Sequence, residues 1–200
     1  MANVTNTKRG FTLIETLVAV SLLTVSIVAP MSLVSQSLAA ATYSRDQVTA
    51  YSLAQEGIES VRSIRDGNIL ENALLSAGKS LLDGIPIGTP FTIDARESIA
   101  ANAIQTCSGT CPQLQTDGTL YGYAPGDRSN PARDVTNTWR NTNFTRTVTA
   151  VYAGPSTVNS GQDAIRVSVT VSWRTPNGQT RSFTIYENMY RWVEDGSAAS

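Results

Sequence analysis

The sequence predicts an α+β protein in which one long N-terminal helix precedes and packs on a C-terminal antiparallel sheet. Three observations predict it. An apolar run starts abruptly at Phe11 and continues to about Val34. Beyond it, Ala50, Leu53, Ala54, Gly57, Ile58, Val61 and Ile64 recur at steps of three or four, which draws one apolar stripe along a helix. In the second half the period falls to two. Ile165, Val167, Val169, Val171 and Trp173 alternate with Arg166, Ser168, Thr170, Ser172 and Arg174, the pattern of a strand with one buried and one wet face. A helical pattern followed by strand patterns is the order of an α+β domain.

The first ten residues are polar and end in Lys8-Arg9-Gly10. A helix rises about 1.5 Å per residue, so roughly 20 residues cross a hydrocarbon core of about 30 Å, and the apolar run is long enough. Between residues 11 and 43 the only charged side chain is Glu15. Lys8 and Arg9 precede the run and Arg45 is the first charge after it, so the positive-inside rule places the N-terminus in the cytoplasm. Three segments are expected: a cytoplasmic leader at 1–10, a membrane or core helix at 11–43, and an extracytoplasmic globular domain at 44–200. A secretory signal peptide is the rival reading, with Ala39-Ala40-Ala41 as its small-residue cleavage site. The apolar cores of such peptides run about 7–15 residues, shorter than this one, and an acid near the start is foreign to them. Pro30 interrupts the run, and either marks a bend or is a tolerated proline of a membrane helix.

After residue 42 the helical pattern continues to about Arg65, with Arg45, Asp46, Gln55, Glu56, Glu59 and Arg62 mainly off the stripe and Tyr51 as an extension of it. Gly67 is the expected terminator. Asn68 and Glu71, three apart, then read as the start of a short helix to about Leu82, closed by Gly84 and Pro86. Pro176-Asn177-Gly178 is a turn signal between the strand at 165–174 and a returning strand at 181–190. A further strand is expected at 144–152, with weaker ones at 91–99 and 119–123. Residues 122–143, rich in Gly, Pro, Asn and Asp, read as an exposed loop.

The head of the apolar run carries a resemblance. Lys8-Arg9-Gly10-Phe11-Thr12-Leu13-Ile14-Glu15 resembles the processing site of type IV prepilins and type II secretion pseudopilins. The resemblance implies cleavage after Gly10 by a dedicated peptidase, N-methylation of the new terminus at Phe11, and recognition of the basic leader residues Lys8 and Arg9. It also places Glu15 at the glutamate of the fifth mature position. Residues 53–66 are similar to the post-membrane segment of minor pilins and pseudopilins. The physics of Glu15 supports the same reading. An ionisable group in a spanning helix costs about 2.5–3.5 kcal/mol and usually has a partner. Cleavage would create an α-amine at Phe11, a group that ordinarily titrates near pH 8 and is therefore mostly cationic. The amine of a neighbouring subunit would neutralise Glu15 and set the axial register. The plainer alternative is that Glu15 sits near the positive end of the helix dipole.

Little else suggests chemistry. The chain has no histidine, which removes the commonest general base and metal ligand and any histidine-based triad. No phosphate-binding glycine loop, catalytic carboxylate pair or cofactor motif appears, so no enzyme activity, cofactor or metal is expected. Cys107 and Cys111 make a poor zinc site. Outside the membrane they suit a small loop-closing disulfide, with Gly109 allowing the turn, and two reduced inert thiols are the alternative. Eight arginines follow Cys111 and seven acids follow Cys107, leaving about one excess positive charge, while the whole chain is at -1. That is no nucleic-acid footprint, although Arg166, Arg174 and Arg181 form a local basic strip. Asn143-Phe144-Thr145 matches the glycosylation sequon. The expected function is structural: a subunit, of the minor pilin kind, in a type IV pilus or related filament, with a type II secretion pseudopilin or a singly displayed membrane-anchored or secreted binding domain as alternatives. The partners it implies are other pilin subunits, the prepilin peptidase and methyltransferase, the pilus assembly platform and the membrane. The precursor would sit in the inner membrane, and the mature chain in an extracytoplasmic filament.

Overall fold

Apolar residues at helical spacing lie on one side of residues 50–64, and they can be buried only if a second layer covers them. A computed structural model supplies that layer as a sheet. It describes residues 10–75, 82–96, 103–123, 139–153, 164–176 and 178–190. Helix α1 covers Leu13–Leu75, and among the described residues seven strands follow: β1 Phe91–Ile93, β2 Ile104–Thr106, β3 Gln113–Thr116, β4 Tyr121–Gly122, β5 Arg140–Tyr152, β6 Ala164–Arg174 and β7 Thr180–Tyr190. The fold is α+β, with α1 packed against an antiparallel sheet. By contacts the chain divides into two units, Met1–Arg45 and Asp46–Ser200.

In the second unit β5 is the central strand. It pairs with β6, β1 and β3, and β6 pairs in turn with β7, all antiparallel. Val148 stands opposite Val169, which stands opposite Ile185. This register puts Val167, Val169 and Val171 on the face toward the helix, all fully buried. The helical stripe faces them, with Ala50, Leu53, Ala54, Ile58, Val61 and Ile64 buried in the same cluster as Phe91, Leu114, Val148 and Trp173. Gly57 marks the closest approach of the two layers. A Cβ there would lie 3.0 Å from Val169 Cγ1 and 3.3 Å from Arg146 Cδ, so a residue without a side chain lets the helix seat on the sheet. Arg62 ties the layers at their margin through Glu187, 2.6 Å away on β7.

Several expectations are corrected. The helix does not stop at Gly67 and restart at Asn68 but runs on to Leu75. Gly67 costs about 1 kcal/mol in a helix interior, less than the packing either side of it returns. Asn68 caps nothing: it is buried, and its Nδ2 donates to the carbonyl of Asp83 at 3.0 Å. The expected end of the short helix, 76–81, lies outside the described residues. Asp46, read as off the stripe, is buried, whereas Tyr51 is exposed with its ring edge against Phe183. The strand at 144–152 begins earlier, at Arg140. Its polar start is drawn into the sheet by β3, with Gln115 Nε2 donating to Asn141 Oδ1 at 2.9 Å and Thr142 Oγ1 to Leu114 O at 2.7 Å. The weak strand at 91–99 shortens to Phe91–Ile93, and that at 119–123 to Tyr121–Gly122; β2 and β3 were not expected. Residues 97–99 and 124–138 lie outside the described residues.

Turn chemistry accounts for the hairpins. Asp117 Oδ1 accepts from the backbone N–H of Thr119 and of Leu120, both at 2.8 Å, and Gly118 has φ +98°, which closes β3 onto β4. Gly178, at φ +78°, turns β6 into β7. Between β2 and β3 Cys107 and Cys111 are joined by a disulfide, with Gly109 at φ +97° inside the loop.

Candidate functional site

Within the first unit the helix is unbroken from Leu13, and its described side chains face outward on all sides. Leu13, Ile14, Leu17, Leu22, Val25, Met31, Leu33 and Leu38 are all more than half exposed, so no single side of the helix is reserved for a core. The most apolar stretch of α1 has none of its residues buried, and the helix is long and apolar enough to cross a membrane. A helix apolar all round belongs in lipid or in the core of a larger body. Each buried Leu, Ile or Val is worth about 1.5–3 kcal/mol, so leaving such a run in water is not a stable option. The hydroxyls scattered along it are accommodated locally. Thr16 Oγ1 donates to Leu13 O, Ser21 Oγ to Val18 O and Thr24 Oγ1 to Ser21 O, each at 2.8 Å. Bonding back to the preceding turn spares those groups an unsatisfied state in hydrocarbon. Pro30 lies inside the helix without ending it.

The helix start was not read from the sequence, although Thr12-Leu13-Ile14-Glu15 has the Thr-x-x-Glu spacing that signals one. Thr12 is the N-cap. Its carbonyl accepts from the N–H of Thr16 at 3.2 Å, and its Oγ1 lies 3.4 Å from the N–H of Glu15. Glu15 therefore occupies the third position of the first turn, where the exposed N–H groups and the dipole favour a negative charge. Gly10 and Phe11 precede the helix in exposed, non-helical backbone, with Phe11 82% exposed. A Cβ on Gly10 would meet nothing within 4 Å, so packing in this chain gives no reason for a glycine there. Lys8 and Arg9 lie outside the described residues.

A family model described as the prokaryotic N-terminal methylation motif matches residues 5–29. The chain carries the type IV pilin/pseudopilin signature. The match takes in residues 5–10, the cap and the first part of the apolar helix, and ends before Pro30. It implies assembly with other pilins and handling by a prepilin peptidase, and it points to a structural subunit. Together with the membrane-capable helix it fits an inner-membrane precursor. No curated protein and no solved structure matches the chain.

Among the described residues the second unit holds no comparable constellation. A groove of about 480 Å3 runs between helix residues 56–71 and the end of β1, and four acids line it: Glu56, Glu59, Glu71 and Asp94. Glu59 pairs with Arg62, Asp94 with Arg96 at 2.8 Å, and Glu56 lies 3.5 Å from Arg146. Among the described residues no three His, Cys, Asp or Glu side chains are grouped to hold a metal. Asp94 is a structural anion. Burial pushes its carboxyl up, but hydrogen bonds from the Arg96 guanidinium and backbone, and from the Tyr123 N–H, outweigh burial and hold it below the usual carboxylate range. Arg96 also donates to Tyr123 O at 2.7 Å and lies over the Trp139 ring at 4.3 Å.

Arg146, one of the eight arginines counted after Cys111, is fully buried, donating to Leu53 O on the helix at 3.1 Å and to Ile93 O on β1 at 2.5 Å. Arg166, Arg174 and Arg181 are exposed.

Proposed function

We propose that the chain is a structural subunit, a minor pilin, of a type IV pilus or related filament. It is made as a single-pass precursor in the inner membrane with its N-terminus in the cytoplasm. Residues 1–10 form the leader, residues 11–43 the membrane and later filament-core helix, and residues 44–200 the extracytoplasmic head. The observation that carries the proposal is the methylation motif at the head of a helix apolar on every side. A lone anchor needs the helix but not the motif.

The local geometry supports the roles proposed for these residues. The Gly10–Phe11 bond lies in exposed, non-helical backbone, the state in which a peptidase can engage it. Gly10 is not needed for packing, so the demand for a glycine is assigned to the enzyme that cuts beside it. Lys8 and Arg9 hold the leader on the cytoplasmic side. After cleavage and methylation Phe11 keeps a cationic amine, and in the filament it pairs with Glu15 of the adjoining subunit. The assembly platform supplies each subunit from the membrane to the growing base.

Intact-mass measurement of the chain recovered from sheared filaments tests this. The expected species lacks residues 1–10 and carries one added methyl group on Phe11. Its formal charge falls from -1 to about -3, because Lys8 and Arg9 are lost. A terminus at Ala41 or Thr42 would overturn the proposal in favour of secretion.

A further inference from the structure

We propose that the outer face of the β5–β6–β7 sheet binds an acidic polysaccharide of low charge density, through Arg166 and the two tyrosines that flank Asn188. This binding belongs to the head alone and stands whether or not the chain assembles.

The register defines the face. Val169 and its neighbours at odd positions of β6 point to the helix, so the even positions of β6 and β7 and the odd positions of β5 share the opposite side. Arg166 stands opposite Asn188, with Ser168 opposite Tyr186 and Ala164 opposite Tyr190. Arg166 is exposed, and its Nε donates to Asn188 Oδ1 at 3.2 Å, which orients the guanidinium within the β7 row. Tyr186 is 68% and Tyr190 61% exposed. Positions two apart on a strand are about 6.8 Å apart, so two phenol rings stand about 13–14 Å from each other, with the cation level with the midpoint.

Beside this trio the face is a lattice of hydroxyls. Thr149 and Ser168 are hydrogen-bonded at 2.5 Å, and Thr170 and Thr184 at 2.9 Å. A hydroxyl carries one donor and two acceptor sites, so a bonded pair keeps capacity for a second partner while its orientation is already fixed. The charge on this face is one-sided. At the face positions of the three strands stand Arg166 and Arg174 and no acid, within a chain of net charge -1. The complementary partner is anionic.

Charge spacing decides which anion. A nucleic-acid strand carries one charge per about 3.4 Å and gains its affinity from many phosphate contacts, about 6–10 in a typical site. Arg166 and Arg174 are eight positions apart on one strand, about 27 Å, far too sparse for a phosphate run. A polysaccharide with occasional carboxylates fits: the guanidinium fork takes a carboxylate through two parallel hydrogen bonds, the tyrosines offer apolar faces with a polar tip, and the lattice meets sugar hydroxyls.

The test measures binding of the full-length chain in detergent micelles to immobilised, highly methyl-esterified pectin, in which most galacturonate carboxylates are capped, with neutral dextran and a single-stranded oligodeoxynucleotide as comparators. The expected result is retention on the esterified pectin that weakens with salt, and weaker retention on both comparators. Arg166→Gln, and separately the Tyr186→Ala Tyr190→Ala pair, should each lower the affinity at least tenfold. Arg166→Lys should recover only part of it, because an ammonium does not fork. These side chains are exposed, and an unchanged near-ultraviolet circular dichroism spectrum verifies that each variant is folded. Absence of retention, equal retention of dextran, tighter retention of the oligonucleotide, or variants that bind as the parent does would each overturn the proposal.

Discussion

Replacing Arg146 separates two accounts of the seam between helix and sheet. The guanidinium is fully buried and bonds two main-chain carbonyls, Leu53 O on α1 and Ile93 O on β1, from the middle of β5. It therefore joins three elements, while its Nε is a buried donor without a hydrogen-bond partner and Glu56 lies 3.5 Å away. Arg146→Ala removes a large buried side chain, opens a cavity beside Gly57 and deprives Glu56 of its nearest cation. Large-to-small changes of this kind cost about 2–5 kcal/mol. Glu56 is partly exposed, so water replaces much of its lost pairing, and that loss adds little to the cost. For a domain of about 150 residues, 1 kcal/mol moves the midpoint by about 2–4 °C, which places the Ala variant about 4–20 °C lower. Arg146→Met fills most of the volume and no longer buries a charge, so it should lose less than about half as much, or nothing. The assay is thermal unfolding of the full-length chain in micelles, followed in the near-ultraviolet, where Trp173 and Phe144 report head packing rather than the N-terminal helix. An Ala variant that melts with the parent would refute the cross-link. A Met variant as damaged as Ala would show that the carbonyl bonds, and not the filled volume, hold the seam.

Two further outcomes are expected. Asp94 titrates below the ordinary carboxylate range in the folded head, so its contribution is fully present above about pH 4 and is lost as pH falls through its lower folded value; the gap in denaturation midpoint between the parent and Asp94→Asn, measured from pH 7 to pH 2, should shrink at the acid end, and a constant gap would contradict this. Glu15→Ala should leave the head's melting unchanged and cleavage intact but lower the ratio of sheared to membrane-bound subunit by orders of magnitude, since about 3–5 kcal/mol attaches to a buried charge pair; normal incorporation of correctly processed Glu15→Ala would leave the acid as no more than a helix-start residue.

The parts of the fold legible in the sequence are those where one face meets the core and the other meets water. Ile165 to Trp173 alternate as read, and every member of the stripe from Ala50 to Ile64 is buried. Where polar residues serve the interior, composition misleads. Asn141 and Thr142 look like loop residues, but β3 uses their side chains as hydrogen-bonding partners. Asn68 looks like a cap, but it satisfies a carbonyl fifteen residues away. The β3–β4 hairpin did have a local signal, Asp117-Gly118, between runs too short to alternate visibly. Arg146 was legible by parity: Phe144, Val148 and Ala150 fix the inward positions of β5, and Arg146 shares them.

The N-terminal segment was legible for a different reason. Its features are consecutive in the chain, because a peptidase and a membrane read a linear stretch rather than a folded surface. Among the described residues Gly10 has no neighbour that demands it, and Phe11 is exposed, so these residues give neither a packing role. Glu15 does have a local explanation, since Thr12 caps the helix and places the acid in its first turn. That explanation covers an isolated chain in water, where solvent shields the carboxylate. It fails once the helix is packed among others in an apolar surround, where about half a charge of helix dipole cannot balance a full carboxylate. A cation must then arrive from outside the helix, and under the proposed processing Lys8 and Arg9 would be gone. The amine that the proposed cleavage would create at Phe11 is the group that processing would supply at the right end of the segment, so that cutting after Gly10 and neutralising Glu15 would become one event.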